Sequence, residues 1–305
     1  MIGLLYESGE WSDYKLAAEL CEAGCEVRMI DAAHLPAKAT VRAAEECGLL
    51  VSRVFASAVF RGHSVAHEAM NRVCNAAEER GIPMVNPARA HFFEIDKRRA
   101  TEELARAGID VPVVLASGTP TELLALLDGS AAEADEDSPS GSAFRYPCII
   151  KPNCGGRTTF TAVARTSEQA RAFLAQAPGI AFIVEDYIEP ERGFVTRAEL
   201  VGGVCRLVVK RSVVESGLSA YHLGSRYRLY PDCPAQAVRA VLRAGEVLDI
   251  GFGSFDVIES GGRAFIIDAN SVSNVSPDNT ETFGGFDLMR EYARAIAGID
   301  GARGA

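Results

Sequence analysis

The residues best suited to chemistry lie late in the chain, where the apolar run Phe265-Ile266-Ile267 closes on Asp268-Ala269-Asn270. Alternate residues of a strand share a face, so Asp268 and Asn270 would present their oxygens side by side. Asp256, followed by Val257 and Ile258, sits on a neighbouring apolar run and can add a third oxygen as a hairpin partner. Two acids and an amide are hard ligands, suited to a magnesium ion shared with substrate phosphates. A plain strand end before the turn at 271–276 would look the same, and the local pattern leaves both readings open.

Lys151 follows Pro147-Cys148-Ile149-Ile150 and precedes Pro152 and the pair Gly155-Gly156. An ammonium at a strand end beside glycine backbone can clamp a phosphate, by point charge and by close approach of N–H groups. An exposed turn reads the same way, and no GxxxxGK[ST] loop occurs. The stretch Ile183-Val184-Glu185-Asp186-Tyr187-Ile188 is an apolar strand that turns acidic, whose backbone can read the edge of an adenine. Asp96-Lys97 heads a helix after Asn86-Pro87, a place where a lysine is ordinarily solvated. Cys154 has no evident histidine partner, so packing outranks covalent catalysis. Arg211, Arg226 and Arg228 cluster with Tyr221, His222, Tyr227 and Tyr230. Arginine forks recognise carboxylates, which suits an acidic amino acid such as glutamate, and so does a strand with arginines on its surface. His63 and His67 lie one helical turn apart, a spacing that fits a metal or, more commonly, a helix's solvent face.

These side chains need a scaffold, and the chain is long enough for two or three lobes at 305 residues with 48% hydrophobic content. The net charge of −10 argues against a general nucleic-acid binder. The opening run Met1–Tyr6 reads as a first strand, not a signal peptide, and no apolar stretch approaches the ~18 residues of a membrane span. Eight scattered cysteines without a CxxC pair read as buried free thiols, and the expected compartment is the cytoplasm.

Strand, helix and strand alternate through residues 1–88, the signature of parallel βαβ units and a small doubly wound lobe. Helical sequence over 96–107 ends at Gly108. The segment 128–142, rich in Ala, Ser, Asp and Glu, is expected to be a flexible acidic loop. A strand over 146–151, a glycine-containing loop, a second strand and a helix over 167–176 follow. From 180 the chain turns strand-rich, with Gly202-Gly203 predicted to close one hairpin and 260–262 another. The expected division is an N-terminal α/β domain over 1–88, a central lobe over 89–179 and a C-terminal lobe over 180–305.

Each motif is weak alone, yet their order resembles the ATP-grasp superfamily and, within it, the RimK-like amino-acid ligases. The resemblance rests on Asn86-Pro87, Asp96-Lys97, the helix ending Gly108-Ile109-Asp110-Val111-Pro112, Pro147–Lys151 with its glycines, Glu185–Ile188, Arg197, Asp256 and Asp268-Ala-Asn270. It covers residues 1 to about 297. It implies an α/β and α+β architecture, with the N-terminal lobe followed by two αβ lobes that sandwich ATP. It further implies that Lys97 and Lys151 contact the phosphates with Gly155 and Gly156, and that Glu185, Asp186, Tyr187 and Ile188 form an adenine hinge. Arg197 and Arg211 would serve the transferring phosphoryl group and substrate, and Asp256, Asp268 and Asn270 would hold magnesium or manganese. Three departures stand out: fewer glycines in the phosphate loop, Asp268 where relatives commonly have Glu, and Val195 where many have Asp.

The reaction implied is phosphorylation of a carboxylate by ATP to an acyl phosphate, followed by attack of an amine. The partners expected are small-molecule carboxylates and amines. Nucleic acid and membrane are not expected, and a homo-oligomer is left open by the oligomeric habit of relatives. Rival readings keep the fold and change the activity. They are a glutamate ligase of one-carbon cofactor biosynthesis (methanopterin or methanofuran type), a peptide-tail or D-alanine-type ligase, and an ATP-binding regulator without turnover.

Overall fold

Three sheets account for the strand content of the computed structural model, which describes residues 1–129 and 144–304. The first is wholly parallel: β1 (Ile2–Tyr6), β2 (Val27–Asp31), β3 (Leu49–Arg53) and β4 (Met84–Val85), in the order β2-β1-β3-β4. Between these strands run α1 (Trp11–Glu22), α2 (Ala37–Glu45) and α3 (Ser64–Arg80). Helix α3 stops at Gly81, whose φ of 67° supplies a left-handed cap. Strand β3 ends at Arg53, and a 3₁₀ turn over Ala56–Arg61 follows.

Helices α4 (Ala88–Glu94) and α5 (Lys97–Arg106) lead into the second sheet. It contains β5 (Val114–Gly118), then, after α6 (Pro120–Leu127), β6 (Cys148–Pro152), β7 (Ala162–Ala164) and, after α7 (Ser167–Leu174), β8 (Phe182–Asp186). The order β5-β8-β6-β7 is antiparallel throughout. The expected loop at 128–142 lies outside the described residues, except for Asp128 and Gly129, which finish α6. A lobe boundary at 180 would assign β8 to the last lobe, whereas its hydrogen bonds place it between β5 and β6.

The third sheet is antiparallel in the order β11-β10-β9-β12-β13, from β9 (Phe194–Val201), β10 (Val204–Ser212), β11 (Tyr227–Leu229), β12 (Gly253–Ser260) and β13 (Arg263–Asn270). Both predicted hairpins form. Gly202 and Gly203 have φ of 60° and 77°, and Gly261 and Gly262 have 56° and 72°, values that two-residue hairpin loops demand and glycine tolerates. Helix α8 (Ala235–Leu248) sits between β11 and β12 in sequence, and α9 (Pro277–Thr282) and α10 (Leu288–Gly304) finish the chain.

Packing across the lobes fixes the site. The apolar side of α8 (Ala237, Val241, Ala244, Leu248) shares one core with Phe93 of α4, Ala100 and Leu104 of α5, and Phe255 and Val257 of β12. Helix α10 returns to the first lobe, where Met289, Tyr292 and Ile296 pack on Ile2, Leu4, Leu16 and Leu20. Each such side chain contributes about 1.5–3 kcal/mol of transfer free energy. Asn86 then bolts the end of β4 to β12: its Oδ1 accepts from the N–H groups of Gly251 (2.9 Å) and Phe252 (2.8 Å), and its Nδ2 donates to the carbonyls of Phe252 (2.6 Å) and Ser271 (3.1 Å). No helix among the described residues is long and apolar enough to cross a membrane.

Candidate active site

Strand register alone brings three of the predicted residues into line. Arg197 on β9 lies opposite Asp256 on β12, and Asp256 lies opposite Asp268 on β13. Directly opposed residues share a face, so one row carries a guanidinium and two carboxylates. Arg211 joins from β10, two residues beyond the partner of Arg197, and donates from Nη2 to Asp256 Oδ2 at 2.6 Å. Its Nε donates to Ser219 Oγ at 2.9 Å, a contact the sequence pattern did not suggest.

The two lysines arrive from different elements tied by a single residue. Lys97 opens α5, and Lys151 lies on β6. Asn153 receives the Lys97 N–H on its carbonyl (2.9 Å) and the Arg98 N–H on Oδ1 (2.8 Å), and donates to Asp96 Oδ1 (3.0 Å). The start of α5 is thereby fixed to the chain two residues past Lys151. Lys97 Nζ hydrogen-bonds Asp268, while Lys151 Nζ sits 2.8 Å from Glu185 Oε2 and donates to the Ile267 carbonyl at 2.9 Å. Lys97, expected on solvated surface if read in isolation, is largely enclosed, its side chain only 11% exposed.

Electrostatics hold Asp268, Lys97 and Arg197 ionised. Burial opposes the charge on Asp268, but the ammonium groups of Lys97 and Lys151 outweigh it and keep the carboxyl below its ordinary range. Burial likewise opposes the charge on Lys97, and Asp268 more than offsets it. For Arg197 the carboxylates of Glu199 and Asp256 overcome the same opposition and hold the guanidinium above its usual value.

Two adjoining cavities meet at this row. One, of about 840 Å³, is lined by Lys97, Lys151, Gly155, Gly156, Glu185, Asp186, Tyr187, Ile188, Arg211, Asp256 and Asp268. The other, of about 1360 Å³, shares Gly155, Gly156, Arg211, Asp256 and Asp268 and adds Arg197 and Asn270. All the predicted site residues therefore border one crevice between the sheets. The arginine cluster divides: Arg211 faces the crevice, whereas Arg226 and Arg228 are exposed and border neither cavity. Tyr230 is buried elsewhere, its hydroxyl against Arg192 and Glu259.

The glycine-poor loop solves its conformational problem by other means. Arg157, Thr158 and Phe160 adopt φ of 60°, 53° and 50°, left-handed backbone that costs about 1–2 kcal/mol per ordinary residue. Contacts to the first lobe hold it there. Arg157 pairs with Glu10, the Phe160 ring meets Phe60 edge-on at 5.5 Å, and a Cβ at Gly155 would collide with the Phe60 ring.

Cys154 does have a histidine neighbour, contrary to the reading of the sequence. His67 Nδ1 lies 4.0 Å from its sulfur, and Nε2 lies 2.9 Å from the Phe55 carbonyl. A carbonyl only accepts, so Nε2 carries the proton and Nδ1 is left to accept from the thiol. Burial lowers the histidine's pKa and pushes that of Cys154 up to about 11, so the pair is neutral and packed rather than an activated nucleophile. His63 turns away to Glu7 at 2.6 Å, so the two histidines do not converge on a metal and His67 is not on a solvent face. No group of three His, Cys, Asp or Glu able to hold a metal occurs among the described residues. The Asp256–Asp268–Asn270 set contains only two acids. Its fit to a hard cation rests on Asp256 Oδ1, a buried carboxylate oxygen without a hydrogen-bond partner.

No family model matches the chain. A probable alpha-L-glutamate ligase of Marinobacter nauticus is 23% identical over 276 residues, spanning 86% of this chain and 83% of the relative. Among solved structures, a RimK domain ATP-grasp protein of Sphaerobacter thermophilus superposes with a TM-score of 0.66 at 19% identity, covering 96% of this chain and 98% of that one. The D-alanine–D-alanine ligase of Bacillus anthracis, solved with ATP, gives 0.67 at 13% identity, covering 100% and 98%. Three sheets around one crevice, matched over nearly their whole length by these solved structures, show that the chain has the ATP-grasp fold.

Proposed function

We propose that this protein is a ligase that joins a carboxylate to an amine through an acyl phosphate, with an amino acid such as glutamate as one reactant. The observation that carries the reading is the convergence of Lys97, Lys151, Arg211, Asp256 and Asp268 on one cavity, with Arg197 and Asn270 on the adjoining one.

The first cavity suits the nucleotide. Tyr187 and Ile188 flank its base end. The N–H groups of Asp186 and Tyr187 are committed to the carbonyls of Val113 (3.0 Å) and Pro147 (3.1 Å). The base edge would therefore fall to the Ile188 N–H and the carbonyls of the hinge. Lys97 and Lys151 would exchange their carboxylate partners for phosphate oxygens, moving point charges by a short swing of flexible stems. Asp256, Asp268 and Asn270 would hold magnesium or manganese, which supplies charge neutralisation on the phosphates. Arg211 borders both cavities and Arg197, on the neighbouring strand, the second, where negative charge would gather on the transferring group and then on the acyl phosphate. Preorganised guanidinium groups stabilise that charge without reorganising. The larger cavity, walled by Trp11, Phe55 and Tyr227, would take the carboxylate and amine. Its basic lining is Arg157, Arg197 and Arg211, so an acidic side chain would be read by these and not by Arg226 or Arg228.

The test is ADP release with a panel of carboxylate and amine pairs, glutamate included, and hydroxylamine added to trap an activated acyl group as its hydroxamate. Pair-dependent ADP and a hydroxamate support the reading. ATP binding without release on any pair would favour a nucleotide-binding regulator.

A further inference from the structure

Glu199 sits two residues beyond Arg197 on β9, so its side chain shares the same face, and it is 3% exposed. A buried carboxylate needs partners, and both of its oxygens have one: Oε1 accepts from Arg197 Nε at 2.8 Å, and Oε2 accepts from the Ser273 hydroxyl. The Ser273 segment is itself pinned, because the fully buried Arg53 donates from Nη1 to the Ser273 carbonyl at 2.7 Å while its Nε is held by Asp13 at 2.8 Å. Glu199 is thus a fixed anion in a rigid surround, aimed at the Nε edge of Arg197.

The consequence shows on the opposite side of that guanidinium. Its Nη1 stops 3.6 Å from Asp256 Oδ1, too far for a hydrogen bond, and that oxygen is left without a partner. Asp256 already serves Arg211. Two guanidinium groups against one carboxylate would leave a buried positive charge uncompensated; Glu199 restores the balance and takes the Nε edge. On the near side of the row, position 195 is valine and cannot do this.

We propose that Glu199 is the positioning residue for Arg197: it fixes the guanidinium plane so that the remaining N–H groups address the crevice, and it holds Arg197 back from Asp256 Oδ1. The kinetic arm of this inference rests on the ligase reading above, whereas the spectroscopic arm does not.

The experiment uses the full chain labelled with [15N]arginine, with the Nε–H signal of Arg197 assigned by its loss in Arg197→Lys. In the wild type this proton is expected to exchange slowly with water, and in Glu199→Gln at least about ten-fold faster, since a charge-assisted bond becomes a neutral one. With an active substrate pair, Glu199→Gln is expected to lower kcat by roughly ten-fold with KM for ATP held within about two-fold, and to cost less than about two-fold more in an Arg197→Lys background. A wild-type Nε–H that exchanges as fast as an exposed arginine overturns the proposal without any variant. So does Glu199→Gln with wild-type exchange and kcat, or a full ten-fold cost that persists in the Arg197→Lys background. Absence of turnover on every pair would strike at the ligase reading, while the exchange comparison would still decide the role of Glu199.

Discussion

Asp256 stands directly opposite Asp268 across β12 and β13, yet the two carboxylates are neutralised from opposite sides, Asp256 by Arg211 and Arg197, Asp268 by Lys97. Like charges in such a pair would destabilise the strand contact if left bare. A divalent ion between them would release Lys97 to a phosphate. Asp268→Asn and Asp256→Asn are each expected to lower ADP release by roughly 100-fold, and chelation should abolish it reversibly. Full activity in Asp268→Asn would remove it from the metal set.

Lys151 tests the nucleotide half. Replacement by Met keeps the stem and removes the charge, leaving Glu185, 1% exposed, without its ammonium partner. ATP affinity measured by calorimetry should weaken by roughly ten-fold or more. Unchanged binding would place the phosphates elsewhere.

Asn86 tests how the lobes are joined. Alanine there strips the partners from the Gly251 and Phe252 N–H groups at the entry to β12. Each buried unpaired donor costs about 1–3 kcal/mol, so urea unfolding should show a loss of about 2–6 kcal/mol with m unchanged. A loss under about 0.5 kcal/mol would mean that water or a shifted side chain restores the bonds.

Cys154, with its thiol pushed up to about 11 by burial, should resist alkylation at pH 8 even though it adjoins the Gly155-Gly156 loop. Peptide mapping after iodoacetamide should find the exposed Cys21 modified first. Cys154→Ala should retain turnover within about three-fold; a loss of more than roughly 100-fold would reopen covalent catalysis.

The docking of α10 has a pH signature. Glu19 on α1 is held below its ordinary value of 4.5, first by the hydrogen bond from Arg290 and also by Lys15. A depressed carboxyl contributes stability above its unfolded pKa and loses it as pH falls through the folded value. Arg290→Ala should therefore lower Tm at pH 7, and the difference should shrink towards zero as pH drops below 4. A Tm gap that is constant with pH would exclude this ion pair as its source.

The elements were largely legible because their signals are local. Periodicity marked the βαβ units of the first lobe, and the Gly-Gly pairs announced both hairpins, since each rests on what a few adjacent residues permit. Order along the chain, with the chemistry of Lys97, Lys151, Asp256 and Asp268, was enough to point at a nucleotide and a metal.

What only the tertiary structure decided involves partners far apart in sequence. Sheet pairing moved β8 into the middle sheet, because strand partners are chosen across loops that carry no register information. Helix α10 docks on the first lobe, since an amphipathic face does not name what covers it. His67 reaches Cys154 across 87 residues, Glu199 pairs with Arg197, and Phe60 packs against the loop that carries Gly155 and its left-handed residues. Residue types determined which chemistry was available to this chain. Long-range packing determined which of those groups share one crevice, because burial, register and hydrogen-bond partners arise only when the three sheets close on one another.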